Sequence, residues 1–134
     1  MKRIVILISG RGSNMAAILD AGIQVAAVIS NRSDSEGLEI AKARGIPAIA
    51  VEHVNYDSRE AFDSGLSERI DEFSPDLVIL AGFMRILGDD FVKRYTGRLI
   101  NIHPSLLPSF PGTKTHRKAL EKGVRIHGCT VHFV

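Results

Sequence analysis

Five apolar residues with no polar one between them, Ile4-Val5-Ile6-Leu7-Ile8, stop at Ser9-Gly10-Arg11-Gly12. A strand with one wet face alternates apolar and polar side chains. A run that does not alternate fits a strand covered on both faces. The pattern recurs at residues 25–29 and, after Asp76, at Leu77-Val78-Ile79-Leu80-Ala81. Shorter strands are expected over 47–51 and 98–102, and a last one over 126–134. Between them, helical segments are expected at 15–21, 36–44, 58–73, 89–95 and 115–122. The long one would turn Ala61, Phe62, Leu66, Ile70 and Phe73 inward. Strands alternating with helices imply an α/β fold with a doubly wound, mostly parallel sheet. In such sheets ligands sit beyond the carboxyl ends of the strands.

The 134 residues suffice for one domain with a real core, so residues 1–134 are read as a single domain. A formal net charge of +2, with both signs interspersed, gives no electrostatic case for nucleic acid or an anionic membrane as partner. Small-molecule ligands are expected instead. Cys129 is the only cysteine, which excludes an internal disulfide and fits a reducing cytoplasm. No apolar run is long enough to span a bilayer. Met1-Lys2-Arg3 ahead of an apolar run resembles a signal peptide, but Ser9-Gly10 breaks that run too early.

Three loops are expected at the carboxyl edge. The first, Gly10-Arg11-Gly12-Ser13-Asn14, lies between a buried strand and a helix start. Free N–H groups and the helix dipole there favour an anion, and Ser13 or Asn14 can cap the helix. Met15 replaces the third glycine of a dinucleotide fingerprint, and no lysine stands at P-loop spacing. One phosphate on a small ligand is therefore expected at Gly12, Ser13 and Asn14; a bare turn and helix cap is the alternative. The second loop, Phe83-Met84-Arg85-Ile86-Leu87, reads as the wall of a pocket for a flat apolar ligand, or as a buried crossover with Arg85 facing water. Arg11 has phosphate or solvent as its alternatives.

The third loop begins at Asn101-Ile102-His103-Pro104 and is stiffened by Pro108 and Pro111, so residues 106–114 cannot be regular. Asn101 and His103 are two apart, so on a strand they leave one face. An amide donor beside an imidazole can stabilise an oxyanion and move a proton; a core histidine beside a turn asparagine fits the pair as well. His116, His127 and His132 lack partners at metal-ligand spacing, so no metal is expected. His116 opens a helix after the proline loop and is the next candidate. Cys129 reads as a small core residue, since nothing adjacent activates a thiolate.

Residues 8–14, 81–87, 101–108 and 127–134 together resemble the phosphoribosylglycinamide formyltransferases, folate-dependent enzymes of purine synthesis. The Asn101 to Pro108 motif is shared with other formyltransferases, whereas Gly12-Ser13-Asn14 and residues 110–120 narrow the resemblance. It implies a Rossmann-like formyltransferase fold and 10-formyltetrahydrofolate as co-substrate. It implies the ribonucleotide phosphate on Gly12, Ser13 and Asn14. Folate would lie against Arg59, Met84, Arg85, Ile86, Leu87 and Asn101, with Asn101 and His103 catalytic. The substrate amine would attack the formyl carbon while Asn101 and protonated His103 hold the oxyanion.

In that family an aspartate just past the strand ending at Val134 keeps the histidine protonated. The resemblance therefore implies a chain truncated at its C-terminus, because a free imidazole is mostly neutral at pH 7. Three other readings stay open. A formyltetrahydrofolate hydrolase is expected to carry a regulatory domain ahead of the first strand. A methionyl-tRNA formyltransferase is expected to carry a basic extension. A non-catalytic ligand-binding fragment is the third.

Overall fold

A computed structural model describes residues 2–103, 107, 113–122 and 129–134. Its elements follow the chain as β1 (Ile4–Ile8), α1 (Ser13–Asp20), β2 (Ala27–Ser30), α2 (Glu36–Ala43), β3 (Ala48–Ala50), a 3₁₀ turn (His53–Asn55), α3 (Arg59–Asp71), β4 (Leu77–Leu80), α4 (Asp89–Arg94), β5 (Leu99–His103), α5 (Thr115–Lys122) and β6 (Thr130–Phe133). The six strands form one sheet in the order β3-β2-β1-β4-β5-β6. Every described pairing is parallel except β5 with β6. This is the α/β, doubly wound, mostly parallel sheet expected from the apolar runs. The winding reverses between β1 and β4. Loops leaving those two neighbours part in opposite directions and open a crevice at the carboxyl edge.

The missing alternation in β1 has its explanation in two core layers. Val5 and Leu7 pack with Phe62, Leu66 and Ile70 of α3 and with Phe91 and Tyr95. Ile6 and Ile8 pack on the other face with Met15 of α1 and Leu38 and Ala41 of α2. All four strand residues are fully buried. At about 1.5–3 kcal/mol for each large apolar side chain removed from water, the central strands supply much of the driving force. Leu99 belongs to the α3 layer, while Ile100 and Ile102 pack on the α1 side. Asn101 and His103 therefore follow Leu99 onto the α3 face.

Two expectations about side chains need correcting. Ala61 is exposed, and Asp63 is buried instead, alongside Phe62, Leu66 and Ile70. Spacing of four residues, 62-66-70, sets the stripe of α3, and Ala61 lies a residue to one side of it. Neither Ser13 nor Asn14 caps α1, because the N-cap position is Gly12 and both residues already lie in the first turn. The second strand begins at Ala27, two residues later than its apolar run. Ser58 does cap α3, accepting the Ala61 N–H at 3.0 Å. The proline-rich loop falls largely outside the described residues, as do His127 and the first part of the expected last strand. Among the described residues no helix is long and apolar enough to cross a membrane.

Candidate active site

Gly12 adopts φ 71°, in the left-handed region that glycine enters without strain. There is also no room for a side chain. A Cβ at Gly12 would lie 2.9 Å from the Gly37 Cα and 2.8 Å from the Met15 Cε. The starts of α1 and α2 thus touch backbone to backbone. The Gly10 carbonyl ties them further, accepting the Ser35 hydroxyl at 2.6 Å and the Gly37 N–H at 3.1 Å. Within α1 the first internal bond runs from the Ala16 N–H to the Gly12 carbonyl at 2.7 Å. The N–H groups of residues 13–15 therefore have no acceptor inside the helix and carry its positive end. Ser13 and Asn14 are exposed beside them. An anion fits this place.

The loop after β4 splits by side chain. Phe83 and Leu87 pack onto the α3-side core. Met84 and Ile86 face outward, 71% and 77% exposed. The Arg85 guanidinium stands 5.8 Å from the centre of the Phe62 ring and is half-buried at a cavity wall. Arg59, Ile86 and Leu87 line one cavity of about 870 Å³. Met84 and Arg85 line another of about 550 Å³, together with the glycine loop. That second cavity carries Arg11, Arg32, Arg85 and His53 in its lining and, among the described residues, no carboxylate side chain, a composition suited to an anionic ligand. Arg32 is itself paired with Asp34 at 3.0 Å, and this hydrogen bond and charge hold the Asp34 carboxyl below its usual range.

A hydrogen-bonded chain runs beneath the second cavity. The Ser9 hydroxyl donates to Asn31 Oδ1 at 2.6 Å and accepts the Met84 N–H at 2.7 Å. With its oxygen so engaged, Asn31 turns Nδ2 to His53 Nδ1 at 3.2 Å. The same Nδ1 lies 3.3 Å from the Asn31 carbonyl, so His53 either accepts from the amide or donates to the carbonyl according to its tautomer. Ser9 and Asn31 are buried, so the ends of β1, β2 and β4 are joined through satisfied polar groups.

Asn101 pairs in register with Leu80, the last residue of β4, so it stands level with the start of the wall loop. His103 lies two residues beyond it. On the other side Asn101 is opposite His132 of β6, and its Nδ2 approaches His132 Nε2 at 3.4 Å. His132 Nδ1 lies 3.1 Å from the Phe133 carbonyl. One tautomer serves both contacts: Nδ1–H donates to the carbonyl and Nε2 accepts from the asparagine. The Asn101 amide is thereby oriented from outside its own strand.

Residues 2–134 match the formyl transferase family. The phosphoribosylglycinamide formyltransferase of Escherichia coli (strain K12) is 54% identical over 137 residues, covering 98% of this chain. The chain spans 65% of that relative's own length. A solved phosphoribosylglycinamide formyltransferase from Coxiella burnetii superposes with a TM-score of 0.95 at 48% identity, over 99% of this chain and 65% of that one. The corresponding structure from Brucella melitensis gives a TM-score of 0.94 at 42% identity, over 98% of this chain and 72% of that one. This chain belongs to the formyl transferase family.

In this member of the formyl transferase family the expected site residues fall into three groups on one sheet edge. Gly12, Ser13 and Asn14 share a cavity with Met84 and Arg85. Arg59, Ile86 and Leu87 share the neighbouring one. Asn101 and His103 stand on β5, on the same sheet face as the wall. For His116 nothing beyond its place in α5 is described, and Cys129 is exposed rather than a core residue. Sequence reasoning missed Ser9, Asn31 and His53. Each stands at or just after the carboxyl end of a parallel strand, and that position was the available signal. Sequence reasoning weighed His132 only as a metal ligand, since its contact with Asn101 depends on strand register.

Proposed function

We propose that this formyl transferase moves a formyl group from 10-formyltetrahydrofolate to the amine of glycinamide ribonucleotide (5-phosphoribosylglycinamide), in de novo purine biosynthesis. The observation that carries this reading is the crevice between β1 and β4. It sets an arginine-lined glycine loop beside an exposed apolar wall. A small phosphorylated substrate and a flat, largely apolar co-substrate need those two surfaces side by side. The names of the E. coli, C. burnetii and B. melitensis relatives support the same reaction.

On this reading the N–H groups at 13–15, with the Ser13 and Asn14 side chains, hold the ribonucleotide phosphate. Arg59, Met84, Arg85, Ile86 and Leu87 hold the folate. The glycinamide amine attacks the formyl carbon, and the carbonyl oxygen gains charge. Asn101 donates to that oxygen, oriented beforehand by its contact with His132, so little reorganisation is needed when charge develops. His103 shares the load and passes a proton to the departing folate nitrogen, and the proton shed by the attacking amine replaces it. Residues 1–134 act as one formyltransferase domain in a cytoplasmic setting, with small-molecule partners.

The test is a direct assay with 10-formyltetrahydrofolate and three competing acceptors. Transfer to glycinamide ribonucleotide over water and over initiator tRNA is expected. Formate release without transfer would identify a hydrolase, and formylation of tRNA the other relative. Binding of both ligands without turnover would leave a ligand-binding protein.

A further inference from the structure

Residues 82–88 carry the apolar wall, yet they belong to no helix or strand. Their ligand-facing side chains, Met84 and Ile86, are mostly exposed, so packing does not set their positions. Two buried side chains hold the backbone instead. At the near end the Met84 N–H donates to Ser9 Oγ at 2.7 Å. At the far end the Gly88 N–H donates to Asp63 Oδ2 at 2.8 Å. Between these points Arg85 lies over Phe62, the neighbour of Asp63.

Asp63 is an unusual choice for such an anchor. It is only 9% exposed, and its other oxygen, Oδ1, is enclosed with no hydrogen-bond partner among the described residues. An orphan buried carboxylate oxygen costs stability, and a smaller or neutral acceptor would serve Gly88 without that cost. The start of α4 favours a negative charge, so the carboxylate also serves the fold there. What the carboxylate adds is a charge-assisted bond, stronger and more directional than a neutral one. It acts where the wall turns into α4. We propose that Asp63 and Ser9 are positioning residues that suspend the wall from its two ends and preform the folate pocket. This rests on the formyltransferase reading above.

The experiment is steady-state kinetics on both substrates with hydrogen exchange across 83–88. Asp63→Ala is expected to raise KM for the folate by up to about tenfold, the limit reached if the whole cost of re-ordering the released wall falls on binding. KM for the ribonucleotide should stay put, and exchange should quicken over 83–88 while β1 and β4 stay protected. Asp63→Asn keeps an acceptor for Gly88 but not the charge, and should give a folate KM between those of the parent and Asp63→Ala. Ser9→Ala, at the other end of the loop, should raise the folate KM and quicken exchange over 83–88, and decides the matter if Asp63→Ala does not fold; its ribonucleotide KM is left out of the test because Ser9 also lines the phosphate-side cavity. Equal shifts in both KM values of Asp63→Ala, or Asp63→Asn as impaired as Asp63→Ala, overturn the inference. A parent protein without formyl transfer overturns the functional reading and this inference with it. Transfer by the parent with an unmoved folate KM in the variants overturns the inference alone.

Discussion

Gly12→Ala separates two costs that the structure makes distinguishable. The left-handed φ of 71° at Gly12 costs an alanine about 1–2 kcal/mol. The added Cβ would also meet the Gly37 Cα at 2.9 Å, which is backbone and cannot rotate aside. The Met15 Cε contact at 2.8 Å is the end of a flexible side chain and can shift. Forcing α1 and α2 apart is overpacking, typically about 1–3 kcal/mol. The total expected is about 2–5 kcal/mol. Gly22 is the built-in control, with φ 81° and nothing within 4 Å of the place an added Cβ would take. Gly22→Ala should therefore lose only the conformational part, about 1–2 kcal/mol. Urea unfolding of the two variants and the parent gives both differences, provided the slopes agree. Ribonucleotide binding adds a second readout, because only Gly12→Ala tilts the N–H groups of residues 13–15. Equal losses in the two variants would refute the backbone clash as the reason for glycine at position 12.

Asn101→Ala should lower kcat by about 10²–10³-fold, as losing one oxyanion donor does, with the unfolding midpoint little changed. Steady-state turnover beside a denaturant curve checks both halves. Tyr95, fully buried, donates to Asp71 Oδ1 at 2.8 Å, and burial first, then that carboxylate, pushes its phenol up to about 12. An unfolded tyrosine ionises near 10, so the unfolded chain loses a proton that the folded one retains. The stabilisation is complete below about pH 10 and is lost as pH rises toward 12. Tyr95→Phe should flatten that alkaline loss, while costing about 1 kcal/mol at neutral pH from the broken bond. Ser58→Ala removes the cap of α3 and should cost about 1 kcal/mol in thermal or urea unfolding.

The sheet could be read from the chain because its central strands are covered on both sides. Val5 and Leu7 face one helical layer and Ile6 and Ile8 the other, so no polar position survives in the run. The glycine loop was legible for a similar reason: a backbone contact such as Gly12 against Gly37 tolerates no other residue and marks the sequence. The pairing of Asn101 with His103 followed from strand period alone. Side-chain partners across long separations were not legible. Ser9, Asn31 and His53 meet only because β1, β2 and the turn after β3 end at one edge. Asp63 reads as an ordinary polar residue of an amphipathic helix until α3 turns it toward the Gly88 N–H. His132 orients Asn101 only through antiparallel register. Local sequence thus determined which segments are buried and where the backbone must bend, since those depend on near neighbours. Which polar atoms satisfy one another was decided by the tertiary structure, because a hydrogen bond needs a particular distance and direction that only the assembled sheet supplies.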